Sequence, residues 1–256
     1  MKILAVSDLH INRPFGWKGG RKQFTRFGNS FAEKLLNKIA EADQIILNGD
    51  IFDTEKPVEK FFALGLPWWD EKRYDPKEFL KELLEKFPDK TFVYVYGNHD
   101  GGDSKTEYFR GVVEDLSFGY ENFTGTDVYT IAGNLFIHGH QFIDYIHAPE
   151  FGVKSSYHVV DQAVRIQAHK EIATALVGYP AIDEFIHSSD RDRVNIFFGH
   201  THKQFVESID LNGKEIYVQN LGCTLPGRGT NFAMIELGDE YELKEVKIIN
   251  GNSIGR

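Results

Sequence analysis

The sequence predicts an α/β sandwich. From residue 2 to residue 137, short apolar runs that read as strands alternate with segments of helical period. From residue 194 onward the chain reads as strand after strand. Its 256 residues, 41% of them hydrophobic, are enough for one large α/β domain or two small ones with a real core.

The apolar run Lys2 to Ser7 gives the first strand, and a loop rich in Gly and Arg follows from Ile11 to Gly28. Ser30 with Glu33 three residues later forms a capping box that opens a helix, and Phe31, Leu35 and Ile39 give that helix an apolar face. Gln44 to Asn48 is the next strand. An aromatic stretch runs from Phe61 to Tyr74 and includes Trp68 and Trp69. Asp75-Pro76 with Glu78 begins a second helix, Pro sitting in its first turn, and Phe79, Leu80, Leu83, Leu84 and Phe87 form its stripe. Thr91 to Tyr96 reads as a strand and Lys105 to Leu116 as a helix. Val128 to Ile131 and Asn134 to Ile137 are two strands joined at Ala132-Gly133.

The alternation then breaks. Val160, Val164, Ala168, Ile172 and Leu176 mark one long helix, and the segment at about 141–193 reads as a helical cap inserted into a single domain over 1–256. Val194 to Phe198 returns to strand. Lys203 to Ile209, Glu215 to Gln219, Phe232 to Leu237 and Tyr241 to Ile249 follow, with Asn212-Gly213 as a strong hairpin turn.

Composition narrows the function. No apolar run approaches the roughly 20 residues that cross a bilayer. Ile3-Leu4-Ala5-Val6 is too short for a signal peptide and runs straight into a polar motif, so the expected location is cytoplasmic. The single cysteine, Cys223, excludes an internal disulfide and a thiolate metal cluster and reads as a small hydrophobe. The net charge of −9 argues against a protein that coats nucleic acid. It does not exclude a nuclease, because bound cations reverse the local field.

Five short segments carry the chemistry: Asp8-Leu9-His10, Gly49-Asp50-Ile51-Phe52-Asp53, Gly97-Asn98-His99-Asp100, His138-Gly139-His140 and Gly199-His200-Thr201-His202. Each follows a predicted strand, and ligands at strand ends converge when the strands lie side by side. Taken singly, each segment is good turn chemistry, since Asn, Asp and Gly tolerate tight turns. As a set of Asp, His and Asn without thiolate, they suit divalent Mn, Fe, Zn or Ni better than a structural zinc knot.

In order and spacing the set resembles the calcineurin-like metallophosphoesterase superfamily. The resemblance implies two facing mixed sheets flanked by helices. It also implies two divalent ions, with Mn preferred and Fe, Zn or Ni as the other choices. One ion would be held by Asp8, His10, Asp50 and His202, the other by Asp50, Asn98, His138 and His200, with Asp50 bridging. Two ions bridged by a carboxylate can share a hydroxide that attacks a phosphodiester, pyrophosphate or phosphomonoester at neutral pH. His99 would protonate the leaving oxygen or stabilise the phosphoryl oxygens, while Asp53 and Asp100 would orient ligand imidazoles. Of the two histidines in the fourth segment, His138 directly follows the strand and is taken as the ligand, leaving His140 to face substrate.

The substrate is read more coarsely, as a small-molecule or lipid-linked phosphoester. His138-Gly139-His140-Gln141-Phe142 followed by a helical insert is similar to the branch containing UDP-2,3-diacylglucosamine pyrophosphohydrolases, although that branch commonly carries Arg where His99 stands. Arg13 and Arg21, with Lys18, Lys22 and Arg26, could grip a second phosphate. Asn220-Leu221-Gly222-Cys223 with Arg228 resembles a phosphate-gripping segment of the family, Leu221 and Cys223 replacing its Pro and Ser. Two other readings stay open: a metal-dependent nuclease, which the acidic charge disfavours, and a non-catalytic scaffold, whose signature would be lost ligands.

Overall fold

The structure, a computed structural model, describes residues 1–11, 14–18, 21–24, 29–52, 75–100, 107–143, 173, 177–200, 204–222 and 231–250. Three parallel strands form its centre: β1 (Lys2–Val6), β4 (Gln44–Asn48) and β5 (Thr91–Val95). They belong to a six-stranded mixed sheet in the order β13-β12-β1-β4-β5-β6. Here β6 is Phe123–Thr126, β12 is Asn231–Leu237 and β13 is Leu243–Asn250. A five-stranded mixed sheet runs β10-β11-β9-β8-β7. Its strands are β7 (Val128–Ile131), β8 (Asn134–Ile137), β9 (Arg193–Phe198), β10 (Phe205–Leu211) and β11 (Lys214–Asn220).

Side-chain alternation explains how the two sheets face each other. Successive residues of a strand point to opposite faces, and the core divides along that rule. Ile3, Ala5, Ile46, Val93 and Val95 of the first sheet meet Phe136 and Phe197 of the second in one buried cluster. Phe136 and Phe197 stack at 4.9 Å between centroids. The intervening residues Leu4, Val6, Ile45, Leu47, Phe92 and Tyr94 face outward into a second cluster under the helices. Those helices are α1 (Asn29–Glu41), α2 (Pro76–Lys86) and α3 (Glu107–Gly119). On the far side, Leu135, Ile137, Val194, Ile196 and Phe198 pack against Ile182 and Ile186 of a helix over Pro180–Ser188. Strands buried on both faces read as continuous apolar runs, which is why β4 and β5 are visible in the sequence.

The predicted fold class holds, with local differences. The stretch Ile11 to Gly28 is not loop throughout: β2 (Pro14–Lys18) and β3 (Arg21–Phe24) pair antiparallel, Lys18 opposite Arg21. The Gly19-Gly20 pair between them is a hairpin signal. The helix expected to open at Ser30 begins at Asn29, which places Ser30 inside its first turn. Asp75 does cap α2, accepting from the Lys77 backbone N–H at 2.9 Å. Strand β6 is not among the expected elements; Phe-Thr-Gly-Thr is poor strand sequence, and parallel pairing with β5 from Phe92 to Val95 holds it. Of the expected cap, residues 144–172 and 174–176, and with them most of the long helix, lie outside the described residues. Its final part packs against the five-stranded sheet through Val177, Ile182 and Ile186. The Trp68-Trp69 stretch also lies outside the described residues.

Candidate metal centre

The strand ends bring the predicted segments to one place. Beyond β1 and β4 the chain keeps pairing: the N–H groups of Asp8, His10 and Ile11 donate to the carbonyls of Gly49, Asp50 and Ile51 at 3.0, 2.8 and 2.9 Å. On the other sheet Gly199 donates to the His138 carbonyl at 2.9 Å. The backbone bends sharply to aim the side chains inward. Asp8 (φ 54°), His10 (46°), Asp50 (52°) and His200 (66°) all occupy the left-handed region. That region costs an L-residue roughly 1–2 kcal/mol, and such strain collects at functional sites.

Two glycines make the approach feasible. A Cβ on Gly199 would run into Ser7 Oγ and Asp8 Oδ2, and one on Gly97 into the carboxylate and backbone N of Asp50. With those hydrogens in place, the His200 N–H donates to both Asp8 oxygens at 3.1 and 3.0 Å, linking the two sheets. Ser7 Oγ lies 2.6 Å from Asp8 Oδ2 and 2.9 Å from the Asn48 carbonyl, and its single O–H can donate to either acceptor.

Asp50 is the hub. It is buried, and His138, His10 and His99 aim Nε2 at its Oδ2 from 3.2, 3.7 and 4.0 Å. Its Oδ1 accepts from the His99 backbone N–H at 2.9 Å. His138 Nδ1 sits 3.1 Å from the Asn48 carbonyl, which makes that nitrogen a donor and turns Nε2 toward Asp50. His200 Nδ1 lies 3.2 Å from His138 Nε2. Two nitrogens bound to one ion at about 2.0–2.1 Å stand about 3.0–3.4 Å apart, so this spacing fits a shared cation. Among the described residues, side chains of a kind that could hold a metal group in two triples, His10–Asp50–His99 and Asp50–His138–His200, which share Asp50. Asn98 Oδ1 is buried and has no hydrogen-bond partner among the described residues. An oxygen left in that position is what a cation would satisfy.

The charges follow from this packing. Burial opposes ionisation of Asp50, yet His138, His10 and His99 outweigh it and hold its carboxyl well below the usual range. Burial also works against charging His138, but the carboxylate of Asp50 pushes it up to about 10. His200 is pushed down to about 3 by burial and by His138 beside it, so it stays neutral. A divalent ion would replace the proton that Asp50 and His138 share.

Asp8, His10, Asp50, His138 and His200 therefore converge, with Asn98 and His99 beside them on the 97–100 turn. Asp100 is different from the expectation. Among the described residues its carboxylate makes no hydrogen bond to an imidazole; it accepts from the Gly97 N–H (2.6 Å), the Ile51 N–H (2.7 Å) and the Tyr94 hydroxyl (2.6 Å). The physical reason is direction: the turn folds Asp100 back under the loops, toward the helix-covered face. Burial and the neighbouring Asp50 push its carboxyl up to about 7 against the pull of Tyr94 and Gly97. His140 lies close, its ring 5.6 Å from that of His138 and 6.5 Å from that of His200. Asp53, His202, Arg13 and Arg228 lie outside the described residues; Arg21 is described only as backbone in β3.

Three supporting residues escape the sequence reading: Ser7, Asn48 and Tyr94. Ser7 and Asn48 are polar residues that end apolar runs directly before Asp8 and Gly49. That position is a legible signal. Tyr94 has none, since nothing separates it in sequence from a core aromatic.

With this geometry, the comparison with known families is decisive. The profile of calcineurin-like phosphoesterases matches residues 1–204. The chain belongs to the calcineurin-like phosphoesterase family. It is a metal-dependent phosphoesterase, and its Asp and His clusters are of a kind that could hold the divalent metal. A comparison with curated proteins found no match. Similar solved structures include an archaeal phosphodiesterase, at 16% identity, TM-score 0.43, and 98% and 99% coverage of this chain and that one. A dimetal phosphatase from Danio rerio has 11% identity, TM-score 0.46 and 93% coverage of both chains. A 5'-nucleotidase precursor from Thermus thermophilus has 14% identity and TM-score 0.43; the match covers 98% of this chain and 54% of that one. At these values all three are distant likenesses. No helix among the described residues is long and apolar enough to cross a membrane.

Proposed function

We propose that this phosphoesterase works with two divalent ions, Mn first among Mn, Fe, Zn and Ni. Asp8, His10, Asp50 and His202 would hold one, and Asp50, Asn98, His138 and His200 the other. The observation that carries the reading is Asp50: one buried carboxylate with imidazoles on several sides and a place in both ligand triples. Two ions so held would supply a nucleophilic water at neutral pH and would neutralise charge on the phosphoryl oxygens.

The chain's own residues do the rest. The Asn48 carbonyl keeps His138 in the tautomer that presents Nε2. His99 is half-buried, its ring edge-on to His10 at 4.9 Å, and it reaches the space beside Asp50 from the solvent side. From there it donates a proton to the leaving oxygen. His140 approaches the phosphoryl group from the side of the five-stranded sheet, and Arg13, Arg21 and Arg228 contact further phosphate. Asp53 orients a ligand imidazole. The substrate is a small or lipid-linked phosphodiester, pyrophosphate or monoester, and a helical cap within 141–193 covers it in a single domain over 1–256. Within that span, Val177, Ile182 and Ile186 pack in the core under the five-stranded sheet.

Hydrolysis of bis-p-nitrophenyl phosphate beside p-nitrophenyl phosphate, in EDTA-stripped protein refilled with Mn²⁺, tests the reading. Metal-restored diester cleavage supports it and selects a diester or pyrophosphate. No turnover of either ester with Mn²⁺ bound counts against it. His99→Ala is expected to keep both ions and lose about 10²–10⁴-fold in turnover, the usual worth of a general acid. Loss of an ion in that variant, by elemental analysis after dialysis, would make His99 a ligand instead.

A further inference from the structure

One buried carboxylate ties together the two loops that carry Asp50 and Asn98. Asp100 Oδ2 accepts from the Ile51 N–H in the loop after β4, at 2.7 Å, and its Oδ1 accepts from the Gly97 N–H at the end of β5, at 2.6 Å. The second bond closes the turn 97–100, and that turn aims the His99 N–H at Asp50 Oδ1, 2.9 Å away. Asp100 therefore sets where Asp50 and Asn98 stand relative to each other.

Something must in turn hold Asp100, because a carboxylate can rotate about its own axis. Tyr94 does so. Its hydroxyl donates to Asp100 Oδ2 at 2.6 Å, and both residues are fully buried. Burial, and then the charge of Asp100, push the Tyr94 pKa well above its usual value, so the hydroxyl keeps its proton and remains a donor. Tyr94 lies on the helix-facing side of β5, in the cluster with Leu80 and Phe109, and Phe109 of α3 packs its ring at 5.4 Å. The hydroxyl thus reaches the loops from the face opposite the five-stranded sheet. Among the described residues its hydrogen bond goes to Asp100 and not to a proposed ligand.

We propose that Tyr94 is a positioning residue for the metal centre: through Asp100 it fixes the distance between the Asp50 loop and the 97–100 turn, and so the affinity and geometry of the ion that Asp50 and Asn98 share. This rests on the two-ion reading above. The competing view is a core tyrosine whose hydroxyl merely found an acceptor and matters to stability alone.

Tyr94→Phe removes the hydroxyl and keeps the ring. Phe109→Leu is the control, since it loosens the packing of that ring and leaves the hydroxyl in place. EDTA-stripped protein is titrated with Co²⁺, followed by visible absorption, with thermal unfolding recorded beside it. Tyr94→Phe is expected to bind the more weakly held Co²⁺ at least about tenfold less tightly, the usual loss for a supporting partner of a ligand, and to show a changed absorption band. Phe109→Leu is expected to melt lower with the wild-type band and affinity. In turnover, Tyr94→Phe should lose kcat with KM little changed. Equal affinity and an identical band in Tyr94→Phe would overturn the proposal. So would a loss of Co²⁺ affinity in both variants that merely follows their melting temperatures. If the wild-type protein takes up no Co²⁺, the two-ion reading itself fails and this inference falls with it.

Discussion

The two sheets contribute different chemistry to one centre. Among the described residues, every carboxylate of the site stands on the six-stranded sheet: Asp8 after β1, Asp50 after β4 and Asp100 after β5. The five-stranded sheet offers imidazoles alone, His138 and His140 after β8 and His200 after β9. Negative charge is thus confined to strands that are buried on both faces and braced by their own loops. The second sheet adds neutral or exchangeable nitrogens. The sheets meet where Phe136 and Phe197, side by side on the second sheet, pack against Ala5, Ile46 and Val93 of the first, and where Asn48 Nδ2 donates to the Ile137 carbonyl at 3.2 Å. The carboxylates thus come from one sheet, while the placing of the second sheet's imidazoles against them depends on how the two sheets pack.

That contrast can be broken from either side. The largest effect is expected for Asp50→Asn, which removes the charge of the carboxylate common to both triples. It should lose at least one ion by elemental analysis and lower turnover by about 10²–10³-fold or more, the scale of removing one group that stabilises developing charge. Retention of both ions with full turnover would sink the hub assignment. His138→Ala, on the other sheet, should lose one ion while the other stays bound, and dialysis against graded chelator would show two release steps collapsing to one. Gly199→Ala sharpens the comparison, because it attacks the meeting of the sheets rather than a ligand. Its methyl group would press on Ser7 and Asp8, so a loss of about 1–3 kcal/mol in denaturant unfolding is expected, with weaker metal binding. The smallest effect on chemistry belongs to Phe197→Leu. It gives up ring stacking worth about 0.5–1.5 kcal/mol beyond area, and it should lower the melting temperature while turnover changes less than in any other variant.

Much of the first sheet's contribution is legible in the amino-acid sequence. Strands buried on both faces write continuous apolar runs, and Asp8, Asp50 and Asn98 each stand within a few residues of such a run. The second sheet is legible at His138 and His200 for the same reason. What does not show is support that depends on direction in space. Asp100 looks like a partner for an imidazole because it adjoins His99, yet it folds back to Tyr94, Gly97 and Ile51. Strand β6 escapes because its pairing, not its composition, makes it a strand. The hairpin β2-β3 escapes because a Gly-Gly pair in a basic stretch reads equally well as loop.

The position of β12 has a consequence for how the molecule is made. Residues 231–237 lie beside β1, with Ala5 opposite Ala233 and Lys2 opposite Glu236. In the second sheet β11 pairs with β9, Asn220 opposite Phe198. Until those later segments emerge from synthesis, the strands that bear Asp8 and His200 each keep a raw hydrogen-bonding edge. The β1–β12 contact, so distant in sequence, forms slowly, and unpaired edges invite association with other chains. A chain cut after residue 204 would hold Asp8, His10, Asp50, Asn98, His138, His200 and His202 and still lack the neighbours that close both sheets. Such a fragment should aggregate whatever metal is supplied.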